Sequence, residues 1–301
     1  MTEPDAIAAL DRQFGIPGLA TVSAGHGGLP RVLISSPHAA GEMYLHGGHV
    51  TSWTPTGARD TLYCSPNAVW HDGLAIRGGV PICFPWFGNN AAIPAAPAHG
   101  FVRTKAWSLQ SVEHYGNDVV VSMFSDSTDD TRKWWRFDFH LVCRATFGEQ
   151  LKLELIVTNT DSAPFSFEEA LHAYFALGDV QAAAVRGLDG TRYIDKVDHF
   201  TEKTQSGDIR ISSETDRIYL NTQHDLDLID PVLSRPITIC KQNSATTVVW
   251  NPWADKSAAM SDLGPGQWKK FLCVETANIG ASDVHLGPGE SHTMAARVIC
   301  E

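Results

Sequence analysis

Several features that would point to common functional classes are missing from this sequence. Lys and Arg number 23 against 34 Asp and Glu, so the formal net charge is −11 at pH 7. A protein this acidic lacks the basic surface that nucleic acid or an anionic membrane would require. No apolar run reaches membrane-spanning length, and residues 1–11 show neither the basic start nor the apolar stretch of a signal peptide. These absences predict a cytoplasmic protein with no nucleic-acid or membrane partner.

Cysteine pairs and short catalytic signatures are also absent. The six cysteines are scattered without a C-x-x-C pair, and several lie in apolar strand-like runs, which predicts free thiols in a reducing compartment. The sequence contains no G-x-x-x-x-G-K-[ST], G-x-S-x-G or H-E-x-x-H, and no G-x-G-x-x-G after a strand. One close histidine pair, His46 and His49 with Glu42 nearby, is a weak candidate for a metal site.

Helical periodicity is scarce after the N-terminus. The run from Glu3 to Phe14 predicts one short helix, with Thr2 as its N-cap, Pro4 near its first position and Gly15 at its end. Beyond it, short runs with period-two alternation recur between turn residues, and no linker or repeat divides the chain. This pattern is typical of an all-β sandwich or barrel. We expect a single domain over residues 1–301.

The clearest strand signal is a hairpin. In Phe137–Phe147 and in Leu151–Val157, apolar residues alternate with polar ones, and Gly148, Glu149 and Gln150 join the two runs. This predicts an antiparallel pair with one buried face. The remaining predicted strands are residues 31–35, 42–45, a run after the turn at 46–49, 118–124, 165–175, 180–187, 217–220, 237–241, 246–250, 268–275 and 294–300.

The stretch from Ile76 to Arg103 has four prolines among its glycines and aromatics, so it predicts an ordered loop without regular structure. It carries Arg77, His99 and Arg103. Each guanidinium can donate two parallel hydrogen bonds to a phosphate or a carboxylate. The alternative is a covering loop whose arginines are solvated, and composition alone leaves both open.

Two titratable side chains lie in strand-like runs. Period two places His172 on one face with Glu168 and Tyr174, and that face either lines a concave pocket or meets solvent. Glu275 ends the run K-K-F-L-C-V-E, where an unpaired buried charge would be costly. Partial burial would raise the pKa of Glu275 and make it a base near neutral pH. The alternative is an ion pair with Lys269 or Lys270.

Several further residues could bind a sugar, but each also has a purely structural interpretation. Asp216 offers an acceptor for sugar hydroxyls or belongs to an exposed turn. Trp53, Trp86, Phe87 and the tryptophans of V-V-W-N-P-W offer flat surfaces for stacking on a sugar, or fill the core.

Seven ordered segments together carry a family resemblance. They are L-H-G-G-H-V-T-S-W, I-R-G-G-V-P-I-C-F-P-W-F-G, H-G-F-V-R, L-H-A-Y-F, T-D-R-I-Y-L, V-V-W-N-P-W and F-L-C-V-E-T-A-N. From about Leu45 to the C-terminus, the sequence resembles the glucose-6-phosphate 1-epimerases (hexose-6-phosphate mutarotases) of the aldose 1-epimerase superfamily. The resemblance implies a galactose-mutarotase-like β-supersandwich that interconverts the α and β anomers of a hexose 6-phosphate.

The resemblance also implies roles for individual residues. His172 matches the general acid of the family and Glu275 its general base. Arg77 and Arg103 match phosphate-side arginines, and His99 and Asp216 match residues that contact the sugar. The partner is then a small hexose phosphate, glucose 6-phosphate first, and no cofactor is expected because the reaction needs no hydride, metal or nucleotide. Two alternatives stay open: an epimerase of unphosphorylated aldoses, and a non-catalytic sugar-phosphate-binding protein.

Overall fold

Antiparallel β-sheet dominates the computed structural model, which describes residues 3–300. The helices of this part of the chain are α1 (Glu3–Phe14), α2 (Asp129–Arg132) and α3 (Trp253–Ala259), and short 3₁₀ turns lie at His26–Gly28, Val102–Thr104, Gln267–Lys270 and Gly280–Ser282. The strands are β1 (Ala20–Ala24), β2 (Pro30–Ser35), β3 (Ala39–Tyr44), β4 (His49–Pro55), β5 (Ile82–Cys83), β6 (Ser108–Tyr115), β7 (Asp118–Asp126), β8 (Phe139–Phe147), β9 (Leu151–Asn159), β10 (Phe165–Phe167), β11 (Glu169–Leu171), β12 (Tyr174–Ala176), β13 (Ala184–Arg186), β14 (Arg192–Asp195), β15 (Thr201–Thr204), β16 (Thr215–Leu220), β17 (Leu226–Asp230), β18 (Arg235–Gln242), β19 (Thr246–Asn251), β20 (Phe271–Asn278), β21 (Val284–Leu286) and β22 (Ser291–Cys300).

Two eight-stranded sheets make up most of the molecule. In the first, which we call the site sheet, the order is β15-β14-β16-β19-β20-β11-β5, with β12 also paired to β20. In the second, the back sheet, the order is β13-β17-β18-β22-β9-β8-β7-β6. Strands β1 to β4 form a four-stranded sheet in chain order, and β10 pairs with β21. All these strand pairs are antiparallel, as the alternating pattern predicted.

Apolar side chains from both large sheets meet in one core. Val249 and Val274 of the site sheet belong to the same buried cluster as Leu155 and Met294 of the back sheet. Burial of such side chains is the main favourable contribution to folding. Strand β20 is buried along its whole length, because loops also cover its outer face. Side chains on that outer face are therefore shielded from bulk water.

Most sequence expectations about the elements are confirmed. The N-terminal helix, the β8–β9 hairpin and the mainly antiparallel β architecture are present, and all six thiols are free. Thr2, the expected N-cap, lies outside the described residues. In the described part of the chain, no helix has both the length and the apolar character needed to cross a membrane.

Three expectations about the elements were wrong. The run 180–187 is a strand only over Ala184–Arg186, and residues 180–182 form a turn. The run 165–175 is not one strand but three short ones, β10, β11 and β12, with His172 in the gap before β12. Trp268 lies in a 3₁₀ turn, and the strand begins only at Phe271 and continues three residues past Glu275.

Candidate active site

His172 and Glu275 lie opposite each other because of strand register. Strand β11 pairs with β20 so that Leu171 lies opposite Thr276, and β12 resumes the same register with Tyr174 opposite Cys273. Within this register His172 comes opposite Glu275. Side chains directly opposite on neighbouring antiparallel strands share one face and lie close together. Two residues about a hundred positions apart are thereby brought together on the outer face of the site sheet.

The His172–Glu275 pair is buried. The distance from His172 Nε2 to Glu275 Oε1 is 3.3 Å, and the side chain of Glu275 is 1% exposed. That distance is long for a charge-assisted hydrogen bond, and neither Glu275 oxygen nor His172 Nδ1 has a hydrogen-bond partner of suitable geometry. Buried polar atoms rarely go unpaired, so these atoms are suited to receive the hydroxyl groups of a ligand.

Burial moves the two pKa values in opposite directions. Burial raises the pKa of Glu275 well above its ordinary value, and the nearby Asp216 raises it further, although Lys196 and Arg103 oppose this. Burial lowers the pKa of His172 well below its ordinary value, and the neighbouring His99, Arg103 and Arg77 lower it further. Both shifts favour the neutral forms of the two groups, a protonated Glu275 and an unprotonated His172.

Aromatic side chains orient the His172 ring. It stacks on Tyr174 with ring centroids 4.9 Å apart and meets the edge of Trp250 at 6.0 Å. The backbone N–H of His172 donates to the Pro81 carbonyl at 3.0 Å. These contacts hold the ring and its backbone, so a proton transfer there requires little rearrangement.

Arg77 is held rigidly on one side of the site. Its Nε and Nη2 lie 2.9 and 2.8 Å from Asp262 Oδ2, and its Nη1 donates to the Tyr174 hydroxyl at 3.1 Å. The positive charge of Arg77 is therefore largely balanced by the Asp262 carboxylate.

Arg103 has no such carboxylate partner. It lies in the 3₁₀ turn Val102–Thr104, and its Nη2 donates to the Ala98 carbonyl at 2.9 Å. Among the described residues no carboxylate oxygen lies within 4.0 Å of it, and its buried Nε has no hydrogen-bond partner. A half-buried guanidinium with free donors is suited to an anion such as phosphate.

His99 belongs to the same loop and adopts a left-handed backbone conformation, with φ of 63°. The Gly88 N–H donates to its Nδ1 at 3.4 Å, and the Cys83 thiol lies 3.4 Å from the same nitrogen. Burial lowers the pKa of His99 well below its ordinary value, and the charges of Arg103, Lys196 and Arg77 lower it further. A neutral His99 that accepts at Nδ1 carries its proton on Nε2, where it can donate to a sugar oxygen.

Asp216 lies on strand β16 opposite Trp250 of β19, which places it on the same face as Glu275. Its Oδ2 is 3.0 Å from Lys196 Nζ. Lys196 was not predicted, because it lies in a turn after β14 and no sequence pattern marks it. Lys256 of α3 was also missed; it lines the same cavity and pairs with Glu214.

One cavity of about 280 Å³ joins all six residues that the sequence singled out. Its volume is near the lower end of the range of roughly 300–1,000 Å³ for small-ligand sites, as expected for a compact sugar. Its lining consists of Arg77, Phe87, Ala98, His99, Arg103, His172, Lys196, Asp216, Val248, Trp250, Lys256 and Glu275.

The geometry rejects several of the alternative readings. His172 does not face solvent, Asp216 is in a strand and not in a turn, and Glu275 pairs with neither Lys269 nor Lys270. Of the aromatics suggested for sugar stacking, Phe87 and Trp250 line the cavity. Trp53 and Trp86 are core residues instead, because both are buried in the main apolar cluster.

The histidine pair considered for a metal has other partners. His46 Nε2 and His49 Nε2 contact the carbonyls of Leu74 and Gly78 at 2.6 and 2.8 Å. Burial lowers the pKa of His49 to about 3. Within residues 3–300 no three His, Cys, Asp or Glu side chains come together as metal ligands. The pair is therefore placed to hold the loop that precedes β5.

A family model and two curated relatives agree that this chain is similar to 1-epimerases. A family model described as aldose 1-epimerase matches residues 30–298. A protein from Escherichia coli strain K12, provisionally named glucose-6-phosphate 1-epimerase, is 36% identical over 250 residues, which are 83% of this chain and 83% of that protein. A protein from Salmonella typhimurium with the same provisional name is 35% identical over 273 residues, or 90% of each chain.

Solved structures extend the likeness to the fold. The crystal structure of a provisionally assigned mutarotase from Salmonella typhimurium matches with a TM-score of 0.89 at 31% identity and covers 95% of each chain. A galactose mutarotase-like protein from Lactobacillus casei matches with a TM-score of 0.71 at 15% identity, over 90% of this chain and 100% of the other. The latter shows a shared fold alone. The expected galactose-mutarotase-like architecture is thus confirmed.

Proposed function

This chain belongs to the aldose 1-epimerase family, and we propose that it interconverts the α and β anomers of hexose 6-phosphates, glucose 6-phosphate first among them. The observation that carries the phosphate assignment is Arg103, a half-buried cation without a carboxylate partner, in the same cavity as the His172–Glu275 pair. Arg77, Lys196 and Lys256 add positive charge to that cavity in a protein of net charge −11. Such local charge favours a phosphorylated ligand over a neutral one.

Ring opening needs one base and one acid. The Glu275 carboxylate removes the proton of the C1 hydroxyl, while the His172 imidazolium donates a proton to the ring oxygen, and the bond between C1 and the ring oxygen breaks. The product is an open-chain aldehyde with a free hydroxyl at C5, a protonated Glu275 and a neutral His172.

Ring closure returns both protons. The aldehyde carbon turns about the C1–C2 bond, so that its other face meets the C5 hydroxyl. His172 then removes the proton of that hydroxyl as Glu275 returns its proton to the C1 oxygen. The pair ends with the protons where they started, and general acid–base catalysis of this kind contributes about 10²–10⁴-fold in rate for each group.

The bound phosphate would also favour the reactive form of the pair. Burial, His99, Arg103 and Arg77 all lower the pKa of His172. A phosphate dianion beside the two arginines offsets their charge, so His172 takes up the proton more readily once the substrate is bound. Asp216 and the Nε2–H of His99 would hold sugar hydroxyls, and the phosphate orients the anomeric carbon without reacting.

The location we propose is the cytoplasm, where hexose phosphates and free thiols coexist, and this agrees with the six free cysteines. The mechanism uses only side chains of this chain.

Exchange NMR on glucose 6-phosphate labelled with ¹³C at C1 tests the activity. The α–β exchange rate should rise above the spontaneous rate in proportion to the protein concentration. Free glucose, measured in the same way, should show a much smaller rise. Equal acceleration of both sugars would favour an epimerase of unphosphorylated aldoses. Binding of glucose 6-phosphate without faster exchange would leave a sugar-phosphate-binding protein and overturn the enzyme.

A further inference from the structure

Lys196 forms part of the cavity wall, although no sequence pattern marks it. It follows β14 directly and begins the turn that leads to β15. Its backbone N–H donates to the Asp216 carbonyl at 2.9 Å, and its ammonium lies 3.0 Å from the Asp216 carboxylate. Two contacts to one residue fix this ammonium against strand β16.

The turn that carries Lys196 is itself well supported. Lys203 of β15 pairs with the Asp195 carboxylate at 2.9 Å, across the base of the turn. The Lys196 ammonium also lies 5.6 Å from the ring centroid of Phe87, within the range of a cation–π contact. Lys196 therefore joins three segments around the cavity: the β14–β15 hairpin, strand β16 and the proline-rich loop.

The Asp216 carboxylate opposes the ionisation of Glu275. Both side chains project from the same face of the site sheet into the same cavity, and two carboxylates close together resist joint ionisation. Asp216 raises the pKa of Glu275 beyond the effect of burial, whereas Lys196 lowers it. The other charged and titratable groups around this cavity are His172 from the segment after β11, His99 and Arg103 from the proline-rich loop, Arg77, Lys256 from α3 and, on β20 itself, Cys273.

We propose that Lys196 is a positioning residue for the reaction: its ammonium orients the Asp216 carboxylate toward the sugar and offsets its charge, so that Glu275 can still ionise and act as the base. This rests on the proposed function. Lys196 acts through Asp216 and Glu275 and does not itself transfer a proton. Without it, the proton shared by the His172–Glu275 pair would shift further onto Glu275, and fewer molecules would hold the reactive form.

Lys196→Met tests this through the pH profile of kcat/KM, measured by anomer exchange and corrected for the spontaneous rate. In this profile the alkaline limb reports loss of the one proton that the His172–Glu275 pair shares in the free protein. The limb should move to higher pH by about one unit, and the plateau should fall by about tenfold. Lys196→Arg should keep the alkaline limb and the plateau of kcat/KM close to those of the wild type, because it keeps the positive charge beside Asp216.

Lys152→Met is the matched control. It makes the same substitution, with the same change of charge, on strand β9 of the back sheet, where Lys152 contacts Glu154 and does not line the cavity. The alkaline limb of Lys152→Met should coincide with that of the wild type. In the double variant Lys196→Met with Asp216→Asn, the limb should return toward the wild-type position, because the charge that Lys196 offsets is gone.

The outcomes separate the two proposals. A wild-type protein that does not accelerate anomer exchange would overturn the proposed function. A wild-type protein that does, together with an unmoved alkaline limb in Lys196→Met or an equal movement in Lys152→Met, would overturn only the role of Lys196. If Lys196→Met unfolds at a lower denaturant concentration than the wild type, the positions of the alkaline limb in Lys196→Arg and in the double variant decide instead.

Discussion

At the scale of single residues, the proposed mechanism depends on one proton shared between His172 and Glu275, which are both buried. Burial raises the pKa of Glu275 and lowers that of His172, so burial favours the neutral form of each group. In the proposed mechanism the reactive arrangement is the charged one, with the proton on His172. The mechanism therefore predicts that the cations of the cavity and the phosphate of the substrate affect the rate through this equilibrium.

Glu275→Gln removes the base and keeps the shape of the side chain. We expect kcat for glucose 6-phosphate to fall by about 10²–10⁴-fold. We expect an equal fall for His172→Asn, because each variant removes the side chain that carries out one of the two proton transfers. Exchange NMR gives kcat, and calorimetric titration shows whether the sugar phosphate still binds. His140→Asn, on the half-exposed His140–Asp126 pair of the back sheet, is the control and should keep full activity. Losses below about threefold in both site variants would contradict the acid–base roles.

Arg103→Ala tests whether Arg103 binds the phosphate of the substrate or its sugar ring. Loss of a charge-assisted contact typically costs about 1.5–3 kcal/mol, so KM for glucose 6-phosphate should rise by about 10–100-fold. Turnover of free glucose should change little. Arg77→Ala is less informative, because it also leaves the Asp262 carboxylate unpaired and should impair both sugars. If Arg103→Ala lost activity equally on glucose 6-phosphate and on free glucose, Arg103 would not be a phosphate-binding residue.

At the scale of elements, the sequence revealed the long strands on which burial imposes a strict pattern, although it missed the shorter β1 and β17, which alternate as well. Strand β9 alternates buried and half-buried residues along its entire length, and its hairpin with β8 was predicted correctly. Strand β6 was missed because it is an edge strand whose residues are mostly exposed, so no alternation appears. Strand β15 was missed for the same reason, because it is also an edge strand with mostly exposed residues. Its partner β14 is an internal strand of only four residues, and it was missed together with Lys196, which follows it.

The partners of strands were not readable from local patterns. The register between β11 and β20 brings His172 to Glu275, yet it pairs segments about a hundred residues apart. Periodicity describes each strand separately and does not identify its neighbour. The residues of the site were named through the ordered family segments, whereas their convergence required coordinates.

Gly100→Ala tests how the proline-rich loop is supported. Gly100 has a φ of 74°, and a Cβ at this position would overlap the carbonyl group of Phe84. We expect the free energy of unfolding to fall by about 1–3 kcal/mol and the activity to drop, because the adjoining His99 would be displaced. Denaturant unfolding and exchange NMR measure the two effects.

Gly88→Ala is the matched control in the same loop. Gly88 has a φ of 72°, but a Cβ there would meet nothing within 4 Å. It should therefore cost only the backbone strain, about 1 kcal/mol. Equal destabilisation by the two variants would show that the close approach of Gly100 to Phe84 is unimportant.

At the scale of the whole molecule, one cluster of apolar side chains extends across the two large sheets. This arrangement supports the expectation of a single domain over residues 1–301, which stays a prediction. Composition and periodicity predicted the mostly antiparallel class, and the family resemblance predicted its supersandwich form. Neither predicted how polar groups join the sheets away from the site, and Lys241 is the main example.

Lys241 connects the two sheets through its ammonium. It lies on β18 of the back sheet, and its Nζ lies 2.7 to 2.9 Å from four oxygens, which are the carbonyls of Thr222 and Thr246 and the hydroxyls of Thr222 and Thr247. Thr246 and Thr247 belong to β19 of the site sheet. Burial lowers the pKa of Lys241 from its ordinary value to about 7.

The shift of Lys241 makes stability depend on pH. Above pH 7 the folded protein releases this proton while the unfolded chain keeps it up to about pH 10.4, so stability rises with pH across that window. Buried thiols act oppositely above about pH 8.5, since burial raises the pKa of Cys64 and of Cys143 to about 12. The contribution of Lys241 is therefore best observed between pH 7 and pH 8.5.

Lys241→Met should remove this contribution. Over the 1.5 pH units between 7 and 8.5, the free energy of unfolding of the wild type should gain up to about 2 kcal/mol relative to that of the variant. Denaturant unfolding at the two pH values measures the difference. Lys152→Met, on the neighbouring strand β9 but half-exposed, should follow the wild type. Parallel pH dependence in the wild type and Lys241→Met would mean that hydrogen bonds to these oxygens keep the buried ammonium protonated throughout, because they favour the charged form as strongly as burial opposes it.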